Sequence, residues 1–192
     1  MDPDAHPTPT ALLARTRAVH ATRTAADAEL IQLAAAWADA HPDPDEQPPA
    51  PTPTRQPADH SLGTARPDPN HDPDHDPLIP AMDWRAGAAF AAALGMPTQA
   101  GAGLIRDALT LRHRLPLVWA RVVALEVPVW RARRIAQAVH TRPADVAAYV
   151  DQHVAAVAER VGVVTLDRLL DEAMLRLHAE ERELEQLDVT SS

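Results

Sequence analysis

The positions of the prolines constrain this chain more than any other feature. Twelve of the 19 prolines lie in residues 41–80, a stretch with almost no large apolar side chain before Leu78. So little apolar surface cannot offset the entropy lost on ordering, and proline interrupts both helices and strands. We therefore predict that residues 41–80 form a disordered linker rich in proline, aspartate and histidine.

The segments on both sides of this linker are predicted to be helical. The chain is 46% hydrophobic but only 3% aromatic, and its apolar residues are mostly alanine, leucine and valine. This composition favours helices, because strands prefer aromatic and β-branched residues in alternation. The predicted fold class is all-α: a multi-helix bundle with a helix-turn-helix-like pair and a long C-terminal helix.

The predicted organisation is one helical domain that the linker interrupts. A disordered tail (1–9) precedes an N-terminal helix (10–40), which Thr10 would cap. The middle of this helix has a weak helical pattern, so the helix could break there. In the first half of this helix, Leu12, Leu13 and Val19 would supply apolar contacts. The helical core follows at residues 81–188, and residues 189–192 form a second tail. Helices are expected at about 84–94, 98–114, 117–125 and 128–140, then one opened by Pro143 and one capped by Thr165 that runs to Leu187.

Residues 94–105 read LGMPTQAGAGLI, which is typical of the turn and second helix of a helix-turn-helix. In DNA-reading examples, early side chains of that helix contact base edges. The corresponding positions here hold Pro97, Thr98, Gln99, Ala102 and Gly103. Only Gln99 and Thr98 could read bases, and each glycine costs roughly 1 kcal/mol of helix propensity. We therefore interpret residues 100–103 as a flat face for close helix packing.

A basic block is the main candidate for binding. Residues 106–142 carry eight arginines and two acids, a net charge of +6, although the whole chain has a net charge of −9. Arginine binds phosphate through a bidentate fork without reading sequence. The candidates for such contacts are Arg112, Arg114, Arg121, Arg131, Arg133 and Arg134. Alternatively, the block is neutralised internally, because residues 143–192 carry a net charge of −7. Trp119 and Trp130 are predicted to be core residues rather than base-stacking platforms.

No motif predicts catalysis, a cofactor or a functional metal site. The chain has no cysteine, no G-x-S-x-G, no H-E-x-x-H and no phosphate-binding glycine loop. The segment HDPDHDP contains metal-ligand residue types, but a proline-rich coil cannot hold a rigid ligand shell. Without a signal peptide or a long apolar run, we expect a cytoplasmic location and no membrane contact.

The last predicted helix suggests a second kind of function. Its apolar seam follows heptad spacing over three heptads and includes one charged residue. The members are Leu166, Leu170, Ala173, Leu177, Glu180, Leu184 and Leu187. This pattern fits either an amphipathic helix packed on its own domain or an intermolecular coiled coil. The chain could therefore self-associate as a scaffold without any role in nucleic-acid binding.

Several segments together resemble the actinobacterial family called domain of unknown function 222. They are ELIQLAAAWADAHP, AAFAAALGMPTQAGAGLIRDALTLRHRLPLVWARV, VPVWRARRIAQAV, YVDQHV and TLDRLLDEA. The resemblance implies a helical region associated with DNA transactions, because members often precede an HNH endonuclease module. Members usually have a glycine where this chain has Leu125-Glu126. The HNH hairpin is missing here, so no catalytic residue is carried over. The activity of that region is itself undefined. The leading hypothesis is a non-catalytic module that positions DNA or a partner, and the arginine block would make the DNA binding weak and insensitive to sequence.

Overall fold

The computed structural model describes residues 7–43, 79–83 and 85–179, which form seven α-helices. Their bounds are α1 Pro9–Asp39, α2 Ala86–Ala93, α3 Thr98–Arg114, α4 Pro116–Val123, α5 Val129–Val139, α6 Ala144–Val154 and α7 Val163–Leu177. A short 3₁₀ turn, Ala155–Val157, follows α6. The all-α prediction is confirmed. Residues 1–6 of the predicted N-terminal tail, most of the predicted linker and the predicted C-terminal tail lie outside the described ranges, and Pro9, assigned to the tail from sequence, is the first residue of α1.

Helix α3 lies at the centre of the bundle. It packs against α1, α2, α4, α5 and α6, and more than half of its 17 residues are buried. Ile31 of α1, Ile105 and Leu111 of α3, and Ile135 of α5 are fully buried in one continuous core. The helices before and after the linker therefore belong to one hydrophobic core, as the sequence predicts.

The two ends of the predicted linker are held together. Pro42 and Met82 form an isolated antiparallel bridge, the Asp43 amide donates to Ala81 O (3.2 Å) and the Asp83 amide donates to His41 O (3.0 Å). Residues 41–43, assigned to the linker from sequence, are thus part of the ordered body. The described residues on either side of positions 44–78 therefore lie side by side.

Helices α2 and α3 form the predicted helix-turn-helix-like pair. Their axes differ by 103° and the connection is four residues long, which fits the usual helix-turn-helix geometry. Gly95 in this turn has φ +65°, a left-handed conformation that glycine adopts without strain. The pair approaches closely at Gly101, where a Cβ atom would lie 2.5 Å from the Ala91 Cβ. The predicted packing role is therefore correct for Gly101, whereas Ala100 is exposed.

Helix α1 differs from the prediction in three ways. Its N-cap is Thr8, whose side chain accepts from the Ala11 amide (3.3 Å), and Thr10 lies inside the helix. The helix is continuous through its weak middle. Its first half extends beyond the bundle, so Leu12, Leu13 and Val19 are exposed and do not supply the expected contacts. Only the second half packs, through Ala28, Ile31, Ala34, Ala35 and Ala38.

The remaining boundaries require smaller corrections. Helix α7 has Gly162 at its N-cap, so Thr165 lies in the first turn rather than at the cap. Pro128 and Pro143 precede α5 and α6 at the N-cap position. Leu125 has φ +61°. It lies in the turn Leu125-Glu126, where members of the resembled family usually have a glycine. The left-handed conformation of Leu125 costs roughly 1–2 kcal/mol that glycine would avoid.

The described part of the last helix packs on its own domain. Leu166, Leu170 and Ala173 of the predicted seam are buried against the bundle, where α7 contacts α6 and α5. Leu177 is partly exposed, and the seam positions Glu180, Leu184 and Leu187 lie outside the described residues. The first half of the seam is therefore intramolecular.

Among the described residues, no single helix has both the length and the apolar composition needed to cross a membrane; the sharply bent α2–α3 pair passes the same test when its two helices are taken together.

Candidate nucleic-acid interface

The six arginines predicted to contact phosphate fall into two groups. Arg112, Arg114, Arg121 and Arg133 make hydrogen bonds or ion pairs that connect helices and loops of the bundle. Arg131 and Arg134 lie near the start of α5, and no carboxylate of the described part of the chain is within ion-pair distance of either guanidinium. The four arginines of the first group are therefore less available to a ligand than Arg131 and Arg134.

Arg114 is buried and caps the C-terminus of α5. Its guanidinium donates to Val139 O (2.8 Å), to His140 O (2.7 Å) and to Arg142 O. These carbonyls lie at the negative end of the helix dipole, where backbone donors are scarce; Val139 O also accepts from the Arg142 amide (3.0 Å). The planar fork of arginine supplies several donors to such a cluster at once. Arg114 thus satisfies the end of a helix and does not face solvent.

Arg112 and Arg133 join helices through ion pairs. Arg112 of α3 forms a bidentate pair with Asp39 at the end of α1, one arm measuring 2.7 Å. The hydrogen bond from Arg112 holds the pKa of Asp39 below its ordinary value, although partial burial opposes the shift. Arg133 of α5 donates to Asp107 of α3 (2.8 Å), and Gln137 donates to the same oxygen (2.7 Å). The Asp39 pair occupies the Arg112 fork that a phosphate would need, and the Asp107 pair occupies Nε of Arg133.

Arg121 is also neutralised within the domain. It pairs with Glu126 (2.9 Å) and Glu159 (3.2 Å) and also donates to Ala155 O. Among the carboxylates that pair with these arginines, only Glu159 belongs to the acidic segment 143–192. The internal-neutralisation alternative thus describes Arg112, Arg121 and Arg133, but most of the neutralising charge comes from α1, α3 and a loop.

Trp130 is exposed, which contradicts the sequence prediction of a core residue. Its exposed fraction is 59%, whereas Trp119 is partly buried against the core. The Arg131 guanidinium lies 4.5 Å from the centre of the Trp130 ring, in cation–π contact. The local sequence contains a signal for this arrangement. Trp130, Arg134 and Gln137 follow helical spacing on the face opposite to Ala132, Ile135, Ala136 and Val139, which are buried.

Two grooves border Trp130. The first, of about 120 Å³, is lined by Trp130, Arg131, Arg134, Ile135 and the residues 161–163 that lead into α7, with Leu166 beneath. The second, of about 200 Å³, lies between the start of α5 and the middle of α1 and is lined by His20, Arg23, Thr24 and Asp27. Arg23 is 80% exposed and only loosely paired with Asp27 (3.7 Å). The sequence could not indicate that α1 adds cationic groups here, because the contact spans more than 100 residues.

The exposed face of α3 carries few groups that could read bases. Thr98, Gln99 and Ala102 are exposed in its first half, and Arg106 is exposed two turns after Gln99. The sequence placed Arg106 in the basic block. It did not indicate that Arg106 shares an exposed face of α3 with Gln99. Two donors two turns apart give a limited hydrogen-bonding pattern. This face is therefore a weaker candidate than the surface around Trp130.

Asp151 is a buried carboxylate with a structural role. Burial raises its pKa, and the amide hydrogen bonds that it accepts from Leu117 (2.9 Å) and Val118 (3.0 Å) act in the opposite direction. These amides open α4, so Asp151 caps that helix. Within residues 7–43, 79–83 and 85–179, no group of three or more histidines and carboxylates is arranged to hold a metal ion.

Comparisons of the chain with protein-family models, with curated proteins and with solved structures find no match. The resemblance to domain of unknown function 222 therefore stays a prediction from the quoted motifs.

Proposed function

We propose that this chain is a non-catalytic helical module that binds the phosphate backbone of nucleic acid through the surface around Trp130. Arg131 and Arg134 of α5 are the principal phosphate contacts, and Arg23 of α1 is an additional one. Binding is weak and insensitive to sequence, so the module positions nucleic acid in the cytoplasm for chemistry carried out elsewhere. This role agrees with the one implied by the resemblance to the HNH-associated family.

The observation that carries the proposal is the division among the arginines. Four of the six candidates already hold carboxylates or carbonyls through at least one contact of 2.9 Å or less. Arg131 makes one long hydrogen bond, to Val161 O (3.4 Å), and both Arg131 and Arg134 flank an exposed tryptophan. A half-buried and an exposed guanidinium near an aromatic ring suit a phosphate strand, because phosphate contacts position a protein without reading sequence. The net charge of −9 opposes binding at long range, so the affinity depends on these local contacts. Their contribution is largest at low salt, because each phosphate contact releases counterions.

The test is the salt dependence of duplex binding. We expect fluorescence anisotropy with a labelled duplex to give an affinity that falls steeply as salt rises, because binding releases counterions. Changing Arg131→Gln and Arg134→Gln together removes two contacts and should lower the log–log slope by about two units. Gln99→Ala is the matched control and should leave both affinity and slope unchanged. Absence of wild-type binding at low salt to both the duplex and a single strand of the same length would refute the proposal.

Self-association is the alternative function, and one observation favours it. The first half of α1 extends from the bundle with Leu12 and Val19 two turns apart on one exposed face. A helix of this length is marginal in water without packing, so an apolar face of a second copy would stabilise it. In this alternative the chain is a scaffold, and α1 rather than the predicted seam of the last helix supplies the interface.

Sedimentation separates these two surfaces. If α1 is the interface, the wild-type chain is expected to be a dimer at tens of micromolar, and Leu12→Asp with Val19→Asp should convert it to a monomer because the charges cannot be desolvated in the interface. Leu177→Asp, on the predicted seam of the last helix, should leave the dimer intact. A wild-type monomer at that concentration would remove the support for self-association, and loss of the dimer only in Leu177→Asp would return the interface to the last helix.

A further inference from the structure

We propose that Trp130 stacks on an unpaired base, so that the surface around it binds single-stranded nucleic acid in preference to duplex. This inference rests on the proposed function and names the form of nucleic acid that the same site takes. The indole is 59% exposed at the start of α5, with a groove on each side. An exposed aromatic ring within a cationic groove is the combination that binds single strands without sequence preference.

The surroundings of Trp130 favour a charged strand over an apolar protein partner. Arg131 and Arg134 lie on one side of the indole, and Arg23 lies across the groove on the other, with Asp27 beside it. Among the large apolar residues that line the two grooves, Trp130 and Val163 (41%) are exposed, while Val129 and Val161 are partly buried. One tryptophan and one valine do not make the apolar core that a protein interface usually has. The cations instead match phosphates that follow or precede a stacked base.

The position of Arg131 strengthens this assignment. Its guanidinium lies over one face of the indole, 4.5 Å from the ring centre, so a base would stack on the other face with the positive charge close by. Arg134 is one helical turn from Trp130 and is exposed on the same face of α5. A single strand can therefore place a base on the indole and its phosphates near both guanidinium groups. A duplex offers only the phosphates, because its bases are already paired and stacked.

The test compares three labelled oligonucleotides of equal length: a thymidine homopolymer, a duplex and an abasic strand with the same number of phosphates. We expect the wild-type chain to bind the homopolymer more tightly than the other two. Trp130→Ala should weaken homopolymer binding by about fivefold to a hundredfold and change binding to the duplex and the abasic strand by less than about twofold. Trp130→Phe keeps an aromatic ring and should retain most of the homopolymer affinity.

Three other results would each contradict the stacking inference. If the wild type binds all three oligonucleotides equally and Trp130→Ala changes none of them, the stacking inference is wrong while phosphate binding stands. If Trp130→Ala weakens all three equally, Trp130 acts through the shape of the surface and not through a base, which also overturns the inference. If the wild type binds none of them at low salt, the proposed function fails and the inference fails with it. Trp130 is largely exposed, so circular dichroism should show that both variants keep the helical fold.

Discussion

Replacing Arg114 by methionine is expected to lower the free energy of unfolding by about 3 kcal/mol, because several buried or half-buried carbonyls lose their donor at once. Arg114 is 5% exposed and donates to Val139 O, His140 O and Arg142 O at the end of α5. Methionine has a similar length and keeps the packing of the side-chain stem, so the change isolates the loss of the guanidinium. Urea unfolding, followed by circular dichroism, measures the effect.

The matched control is Arg134→Met, which removes the same group from an exposed position on α5. It should change the free energy of unfolding by less than about 0.5 kcal/mol. Arg114→Lys keeps the charge but not the fork, and we expect it to recover only part of the loss. Equal stabilities of Arg114→Met and the wild type would contradict the cap and would return Arg114 to the candidate phosphate contacts.

The second large effect is expected at the contact between α2 and α3. In Gly101→Ala the new Cβ would lie 2.5 Å from the Ala91 Cβ and 2.9 Å from its Cα. The nearest atoms belong to another helix and include its backbone, so the helices must separate. Overpacking of this kind costs about 1–3 kcal/mol or more, which exceeds the gain in helix propensity. The variant should therefore unfold at a lower urea concentration than the wild type.

Gly103→Ala is the control within the same helix. The nearest atom to its added Cβ is a terminal nitrogen of the flexible Arg106 side chain, at 4.0 Å. Replacing a glycine inside a helix by alanine without a clash gains about 1 kcal/mol. We therefore expect Gly101→Ala and Gly103→Ala to shift the unfolding midpoint in opposite directions. If both variants stabilise the protein, the close approach of α2 and α3 is not rigid.

Much of the helical architecture could be predicted because local signals set it. Pro116 ends α3 at the predicted residue, and Gly95 terminates α2 with a left-handed φ. The small residues of LGMPTQAGAGLI indicated close packing, which Gly101 makes with Ala91. The caps at Thr8 and Gly162 were missed since a threonine stood two or three residues further on in each case.

The roles of the arginines could not be predicted, because their partners are distant in sequence. Arg112 pairs with Asp39 over 73 residues, and Arg114 reaches carbonyls 25 to 28 residues further along. Net charge over a segment contains no information on such pairs. The exposure of Trp130, in contrast, could be predicted from helical spacing, which places it opposite to the buried residues of α5. A core position was predicted instead because tryptophan is highly buried on average.

The most direct test of the account measures stability and duplex affinity together for each of the six candidate arginines changed singly to glutamine. Unfolding in urea gives the stability, and anisotropy at one low salt concentration gives the affinity. We predict two separate groups. Arg112, Arg114, Arg121 and Arg133 variants should lose stability, with Arg114 the most affected, and keep the wild-type affinity while folded. Arg131 and Arg134 variants should keep stability and lose affinity. A folded Arg112 or Arg133 variant that loses as much affinity as the Arg134 variant would contradict the division of the arginines on which the proposed function rests.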